Sequence, residues 1–386
     1  MDVKTADKKF IANTYARADV VFVDGNGSLL TDDCGKKYID FGSGIAVNVL
    51  GRKYAPWVKA VTEQAGKIAH TSNLYYSEPC VRLAVKLNER TGMKKVFFSN
   101  SGAEANECAI KCARKYSFDK YGVGRGKIVS LKGSFHGRTM ATLTATGQEV
   151  FHNYFFPFPT GFDYAEPNDI EDLKEKADKE TCAVMIELVQ GEGGVVALNR
   201  DFVRKTEEFC REKDILLIVD EVQTGNGRTG SLYAYMQYGI KPDIVTTAKG
   251  LAGGLPLGAT MIWDKCENTL SSGTHGSTFG GNPVACAGAC AVLDGLTDSL
   301  LESVKKKATL IRDALLKMKK VKSVSGAGLM IGIETEGITA ADAVKELRDK
   351  GLIVLTAKNK IRLLPALNIS DEEVETGLKI MNEVLK

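Results

Sequence analysis

Asp243-Ile-Val-Thr-Thr-Ala-Lys-Gly-Leu-Ala-Gly-Gly-Leu-Pro-Leu-Gly-Ala259 sets a single lysine between two apolar strands. The first strand, Ile244 to Thr246, leads into Lys249. Glycines and Pro256 follow, and a second strand runs from Ala259 to Trp263. Burial disfavours an ammonium group, lowers its pKa and so frees the amine as a nucleophile. A lysine in that state forms Schiff bases with carbonyl compounds. A strand-end lysine taken alone more often snorkels to water, so its meaning depends on what the other strands end in.

Short apolar runs alternate with helical patterns from about residue 80 onward. The runs are Val96 to Ser99, Ile128 to Leu131, Ala183 to Leu188 and Ile215 to Val219, besides the two around Lys249. Continuous apolar runs of this length fit strands covered on both faces. Between them, Ala103 to Tyr116 and Asp201 to Lys213 read as helices. In the first, Ala105, Cys108, Ala109, Cys112 and Ala113 recur on one face. The alternation predicts an α/β fold with a mostly parallel sheet and helices on both sides. Before it, Val20-Val-Phe-Val-Asp-Gly-Asn-Gly and Leu29 to Phe41 read as a small β-meander, and Ala55 to Ile68 as a helix. After it come helices Pro283 to Leu296 and Leu300 to Lys319, a strand at Leu329 to Glu334 and a helix at Ala340 to Lys350. Strands Leu352 to Leu355 and Ile361 to Leu364 and a last helix from Asp371 complete an α+β unit.

A chain of 386 residues suggests roughly two domains. Its formal charge of +3 gives no electrostatic case for nucleic acid or membrane. No apolar run approaches the ~20 residues a membrane span needs, and the N-terminus is charged, without an apolar signal core. The nine cysteines are an odd number; Cys108 and Cys112, like Cys286 and Cys290, lie four apart in alanine-rich helical settings, and the four histidines (His70, His136, His152, His275) lie in no ligand spacing. No metal and a reducing cytoplasm are expected.

Sheet enzymes bind ligands at the carboxyl ends of parallel strands. After Val96 to Ser99 comes Asn100-Ser-Gly-Ala-Glu-Ala-Asn, a small-residue turn opening a helix. Free N–H groups and the positive dipole end suit a phosphate there; Ser101 with Glu104 would equally make an ordinary cap. After Ile128 to Leu131 comes Lys132-Gly-Ser-Phe-His-Gly-Arg-Thr, where Phe135 can stack on a flat ligand and Arg138 can fork onto a carboxylate. After Ala183 to Ile186 come Glu187 and Glu192 around a glycine turn. The strand Ile215 to Val219 ends in Asp220, a costly buried acid unless a cation meets it. Gly225, Gly227 and Gly230 also spell GxGxxG, which would suit a nicotinamide dinucleotide. They begin too far past the strand for that fingerprint, and they leave Asp220 and Lys249 idle. One ligand uses every strand end: a flat, phosphorylated, aldehyde-bearing heterocycle. Lys249 would hold the aldehyde, Asp220 the ring nitrogen, Phe135 a ring face and Ser101-Gly102-Ala103 the phosphate. That ligand is pyridoxal 5′-phosphate.

On Asp220-Glu-Val-Gln-Thr-Gly, Gly227-Arg-Thr-Gly, Thr247-Ala-Lys-Gly-Leu-Ala-Gly-Gly and His275-Gly-Ser-Thr-Phe-Gly-Gly-Asn-Pro, nearly the whole chain resembles the class III aminotransferases of fold type I. Gly44-Ile-Ala-Val-Asn-Val-Leu-Gly, Ser72-Asn-Leu-Tyr-Tyr, Ser134-Phe-His-Gly-Arg-Thr and Ile361-Arg-Leu-Leu-Pro are similar to the branch that acts on acetylornithine. The resemblance implies a large cofactor domain over residues 46–283 and a small domain over 284–386, with residues 1–45 packing on the latter. It implies Lys249 as covalent anchor and proton shuttle, with Asp220 on the pyridine nitrogen. Glu221, Val222 and Gln223 line the cofactor, Gln223 near its phenolic oxygen, and Gly102 and Ala103 hold the phosphate. Thr278 would reach the phosphate of the other subunit's cofactor in a homodimer, with Ser277 beside the substrate there. Arg138 would take the carboxylate of acetylornithine, and Arg362 the α-carboxylate of glutamate or 2-oxoglutarate. Glu192 would mask Arg362 when the other substrate is bound. The implied reaction moves the terminal amino group of acetylornithine to 2-oxoglutarate. Sister enzymes acting on ornithine, succinylornithine or 4-aminobutyrate, and an aminomutase that shifts an amino group within one molecule, are the alternatives. Two departures stand out: Ala103 where the class carries threonine, and Gly51-Arg-Lys-Tyr-Ala-Pro56 where it carries a Gly-His-x-His-Pro run.

Overall fold

A computed structural model describes residues 2–386. Its centre is a seven-stranded sheet in the spatial order Lys95–Ser99, Gly258–Ile262, Ile244–Thr247, Leu216–Asp220, Thr181–Ile186, Lys127–Leu131, Phe162–Ala165. The last five pair in parallel, while Gly258–Ile262 runs antiparallel to both its neighbours. Only Ala248 to Leu257 joins it to Ile244–Thr247, and so short a link leaves no room for a parallel crossover. The reversal matters for the site. It brings the amino end of this strand, with Leu255 to Leu257 before it, beside the carboxyl ends of the others.

The central strands are buried along their whole length, because helices cover both faces. Gly102–Tyr121 buries Ala105, Cys108, Ala109, Cys112 and Ala113. Arg200–Glu212 buries Phe202, Val203, Thr206, Phe209 and Cys210. The edge strand Phe162–Ala165 was not legible as a strand, since its four residues are mostly only partly buried and include Asp163. The helix Glu78–Thr91 and the strand Val321–Ala327 were likewise not expected.

Near the C-terminus, Val321–Ala327, Met330–Thr335, Lys360–Leu363 and Leu355–Ala357 form an antiparallel sheet. The expected single strand Leu352 to Leu355 is two pieces in different sheets. Leu352–Ile353 instead pairs in parallel with Lys37–Asp40, the third strand of the N-terminal meander. The first meander strand is Phe22–Asn26, two residues later than its apolar run suggests. Arg52 is fastened to this meander twice. Its backbone pairs with Gly27, and its Nη2 lies 2.6 Å from the buried Asp40 carboxylate. The departure at Gly51-Arg-Lys-Tyr-Ala-Pro56 thus carries a structural ion pair. Among the described residues no single helix is long and apolar enough to cross a membrane.

Candidate active site

A cavity of about 440 Å³ opens at the carboxyl ends of the parallel strands. Lys249, Asp220, Gly102, Ala103, Phe135, Arg138, Val222 and Gln223 all line it, with Glu187, Asn106, His136 and Leu255 to Leu257.

Lys249 opens a short 3₁₀ turn, Lys249–Ala252, directly after the strand Ile244–Thr247. Its φ of +42° lies in the left-handed region, where a side chain with a Cβ costs on the order of 1–3 kcal/mol. The turn is held from outside: Trp57 Nε1 donates to Ala252 O at 2.8 Å. Burial lowers the pKa of the Lys249 amine; Glu192 opposes that shift without cancelling it. The group is therefore closer to a neutral amine than a surface lysine is.

Asp220 ends the strand Leu216–Asp220 and is 3 % exposed. Its Oδ2 accepts from Asn106 Nδ2 at 2.8 Å and meets His136 Nδ1 at 2.8 Å, and its Oδ1 accepts from Val222 N at 2.9 Å. Against a carboxylate acceptor the imidazole donates from Nδ1. Thr246 Oγ1 in turn donates to Asn106 Oδ1 at 2.6 Å. Contacts from separate parts of the chain thus hold one carboxylate in one orientation. Asn106 and His136 line the cavity and orient Asp220, and neither stands out as a site residue in the sequence. The available signal was an asparagine one helical turn beyond Gly102, on a helix otherwise lined with alanine and cysteine.

Ser101 Oγ caps Gly102–Tyr121 by accepting from Glu104 N at 3.2 Å. The first N–H groups of a helix have no partner inside it, and Gly102 and Ala103, which carry two of them, line the cavity. Gly102 is required by close approach, since a Cβ there would sit 2.7 Å from a Val222 methyl. The side chain of Ser101 thus caps the helix, while the leading N–H groups of Gly102 and Ala103 are not used inside it.

Glu187 is buried and accepts from Phe135 N at 2.8 Å and Gly191 N at 3.3 Å. It ties the loop carrying Phe135 to the loop carrying Glu192. Burial raises its carboxyl pKa; His136 pulls the other way and Asp220 adds to the rise. Arg362, 3 % exposed, sits on the strand Lys360–Leu363. Its Nη1 lies 2.5 Å from Glu192 Oε1 and 3.1 Å from Gln223 Oε1, while its Nε has no partner among the described residues. Burial works against the Glu192 charge, but Arg362 and its other cationic and hydrogen-bonding neighbours outweigh it, and the carboxyl sits below its ordinary range. Through Gln223 this pair abuts the cavity.

Five expected residues do not line the cavity in one chain: Arg362 and Glu192, which reach it only through Gln223, and Glu221, Thr278 and Ser277. Glu221 points away: its carboxylate accepts from Tyr235 N at 2.7 Å and from Thr224 Oγ1, and burial pushes it up to about 7. Thr278 is exposed. Ser277 reaches only the rim, its Oγ accepting from Asn100 Nδ2 at 3.3 Å. The GxGxxG segment forms turns and opens no helix against a strand. Its buried Arg228 donates to the carbonyls of Leu329 and Pro365, so the segment clasps the C-terminal sheet and offers no dinucleotide cradle.

The sequence pattern of aminotransferase class-III matches residues 10–385. The chain belongs to the class-III aminotransferases. Within that class it is 52 % identical over 385 residues to an acetylornithine aminotransferase of Haemophilus ducreyi, covering 99 % of this chain and 98 % of that one. It is 46 % identical to the enzyme of the same name from Caldanaerobacter subterraneus, over 99 % and 98 %. Among solved structures it is similar to the ornithine aminotransferase of Toxoplasma gondii, with TM-score 0.95, 31 % identity and coverage of 99 % and 94 %. It is also similar to the N-acetylornithine aminotransferase of Stenotrophomonas maltophilia, with TM-score 0.85, 36 % identity and coverage of 96 % of each chain.

Proposed function

We propose that this aminotransferase uses pyridoxal 5′-phosphate to move the terminal amino group of N2-acetylornithine to 2-oxoglutarate, giving N-acetylglutamate 5-semialdehyde and glutamate, a step of arginine biosynthesis. The observation that carries this reading is a pair of arginines, Arg138 lining the cavity and Arg362 just behind it, joined to it through Gln223. Arg362 is buried and masked by Glu192, and Arg138 stands exposed without an acidic partner among the described residues. Two such arginines let one pocket take two carboxylate spacings in turn.

The cavity fits the cofactor by its donor set. An amine shares the cavity with a buried carboxylate whose hydrogen-bond neighbours all donate to it. Free helix N–H groups suit the phosphate, and Phe135 suits a ring face. Gly102 and Ala103 would hold the phosphate without the usual threonine hydroxyl; one hydrogen bond to a charged group, about 1.5–3 kcal/mol, changes affinity by roughly 10- to 100-fold. Asp220 would hold the ring nitrogen, Val222 and Gln223 the ring's flank, and Lys249 the aldehyde end. When bound, the cofactor supplies a carbonyl that accepts an amino group and a ring that stores electrons. The chain's own residues do the rest. Arg138 binds the donor's carboxylate and sets its amine-bearing carbon toward Lys249. Lys249 Nζ, with its lowered pKa, would take the proton from that carbon and deliver it to the cofactor's former carbonyl carbon. Asp220, fixed by Asn106 and His136, keeps its charge aimed at the far end. In the second half-reaction Glu192 swings from Arg362, which then takes the α-carboxylate of 2-oxoglutarate.

The working form is a homodimer with shared sites, in the cytoplasm. Support comes from Thr278, which is exposed and away from its own chain's cavity. Beside it lie exposed Phe279 and the exposed run Leu74 to Tyr76, the two loops tied by Asn73 Nδ2 to the carbonyls of Ser277 and Gly280. In a dimer Thr278 of a second copy would meet the phosphate, and Ser277 the substrate. The large unit would span 46–283 and the small one 284–386 with the first 45 residues.

Rates with acetylornithine, succinylornithine, ornithine and 4-aminobutyrate, each against 2-oxoglutarate, test the reading. Acetylornithine should lead, and preference for another donor would replace it. Arg138→Ala should cut kcat/KM for acetylornithine roughly 10- to 100-fold, as loss of a charge-assisted carboxylate contact implies. The glutamate half-reaction should change little; equal losses in both would contradict the assignment.

A further inference from the structure

We infer that Phe151 is a positioning residue for Arg138, setting how well the donor's carboxylate is recognised. The inference rests on the substrate reading above and deepens it. Arg138 has no hydrogen-bond or ion-pair partner among the described residues, and its guanidinium lies against aromatic rings instead. Its Cζ is 4.2 Å from the centre of the Phe151 ring and 5.5 Å from that of Phe135. The two rings themselves meet edge to face, 5.8 Å apart at 73°. A ring face attracts a guanidinium through its quadrupole and leaves the N–H edge free to fork onto a carboxylate. Without that face, a long exposed side chain samples many rotamers, and binding must select one.

Phe151 is itself held in place. It closes the turn Glu149–Phe151, its N–H donating to Gln148 O at 3.0 Å. Gln148 Nε2 donates to Ser134 O at 3.0 Å, Gly133 N to Gly147 O at 2.7 Å, and Gly147 N to Ser134 Oγ at 3.0 Å. The turn bearing Phe151 is thereby fastened to the loop bearing Phe135 and Arg138, so the rings and the guanidinium form one unit. Arg362 is independent of that unit, being held by Glu192 and Gln223. The two substrates should therefore respond differently to loss of the ring.

The test compares Phe151→Ala and Phe151→Tyr as holoenzymes, with acetylornithine and with glutamate as donors. Phe151→Ala should raise KM for acetylornithine about 3- to 30-fold, the range of one cation–π contact. Its kcat and its glutamate half-reaction should stay within about twofold, less than the loss of one such contact. Phe151→Tyr keeps the ring and should restore most of the affinity. An unchanged KM in Phe151→Ala, equal losses with both donors, or a tyrosine variant as weak as the alanine one would each overturn the role. A wild-type enzyme that ignores acetylornithine would overturn the substrate reading itself, and this role with it.

Discussion

Lys249→Ala should lower transamination by about 10³-fold or more while leaving the apo fold intact. Two functions disappear together: the amine that receives the cofactor's carbonyl and the base that carries the proton. Proton transfer by a placed base alone accounts for about 10²–10⁴. The variant should melt no lower than the wild type, because the amine contributes little to stability. Its burial opposes its charge, and the turn that bears it is fastened independently by Trp57. Steady-state rates with both donors, read beside thermal melting, check this. A large drop in melting temperature would assign the loss to misfolding, and a variant retaining most of its activity would remove Lys249 from the chemistry.

Asp220→Asn should cost about 10²–10³ in kcat with KM nearly unchanged, the usual scale for removing one fixed electrostatic contact from a transition state. The substitution keeps the side chain's shape but removes its charge. It also turns an acceptor for Asn106, His136 and Val222 into a group that can satisfy only part of that set. The charge at the far end of the cavity matters most when electrons are being stored there, so the loss belongs in kcat. An effect confined to KM would mean that Asp220 merely helps to hold the cofactor.

Much of this site is legible in the sequence because each strand announces its own end. Lys249, Asp220, Gly102 and Phe135 each follow an apolar run, and a parallel sheet gathers such ends at one edge. The residues that fix Asp220 were hidden because contact and sequence are far apart: Asn106 lies 114 positions from it and His136 lies 84. Glu221 misled by adjacency. Successive residues leaving a strand face opposite sides, so the neighbour of a cavity acid points into the core behind it. Thr278 could not be placed from one chain, since its proposed ligand lies in another. The reversed strand Gly258–Ile262 was hidden for a different reason: apolar runs carry no direction, and only the short link after Lys249 betrays it.

If Lys249 and Asp220 grip opposite ends of one pyridoxal ring, borohydride trapping should fix the ring to the lysine. The protein is saturated with pyridoxal 5′-phosphate, reduced and digested, and its peptides are weighed. A cofactor-sized mass gain confined to the peptide containing Lys249, absent from Lys249→Ala, is the predicted result. No gain at all, or a gain on a different lysine, would mean that Lys249 is not the anchor.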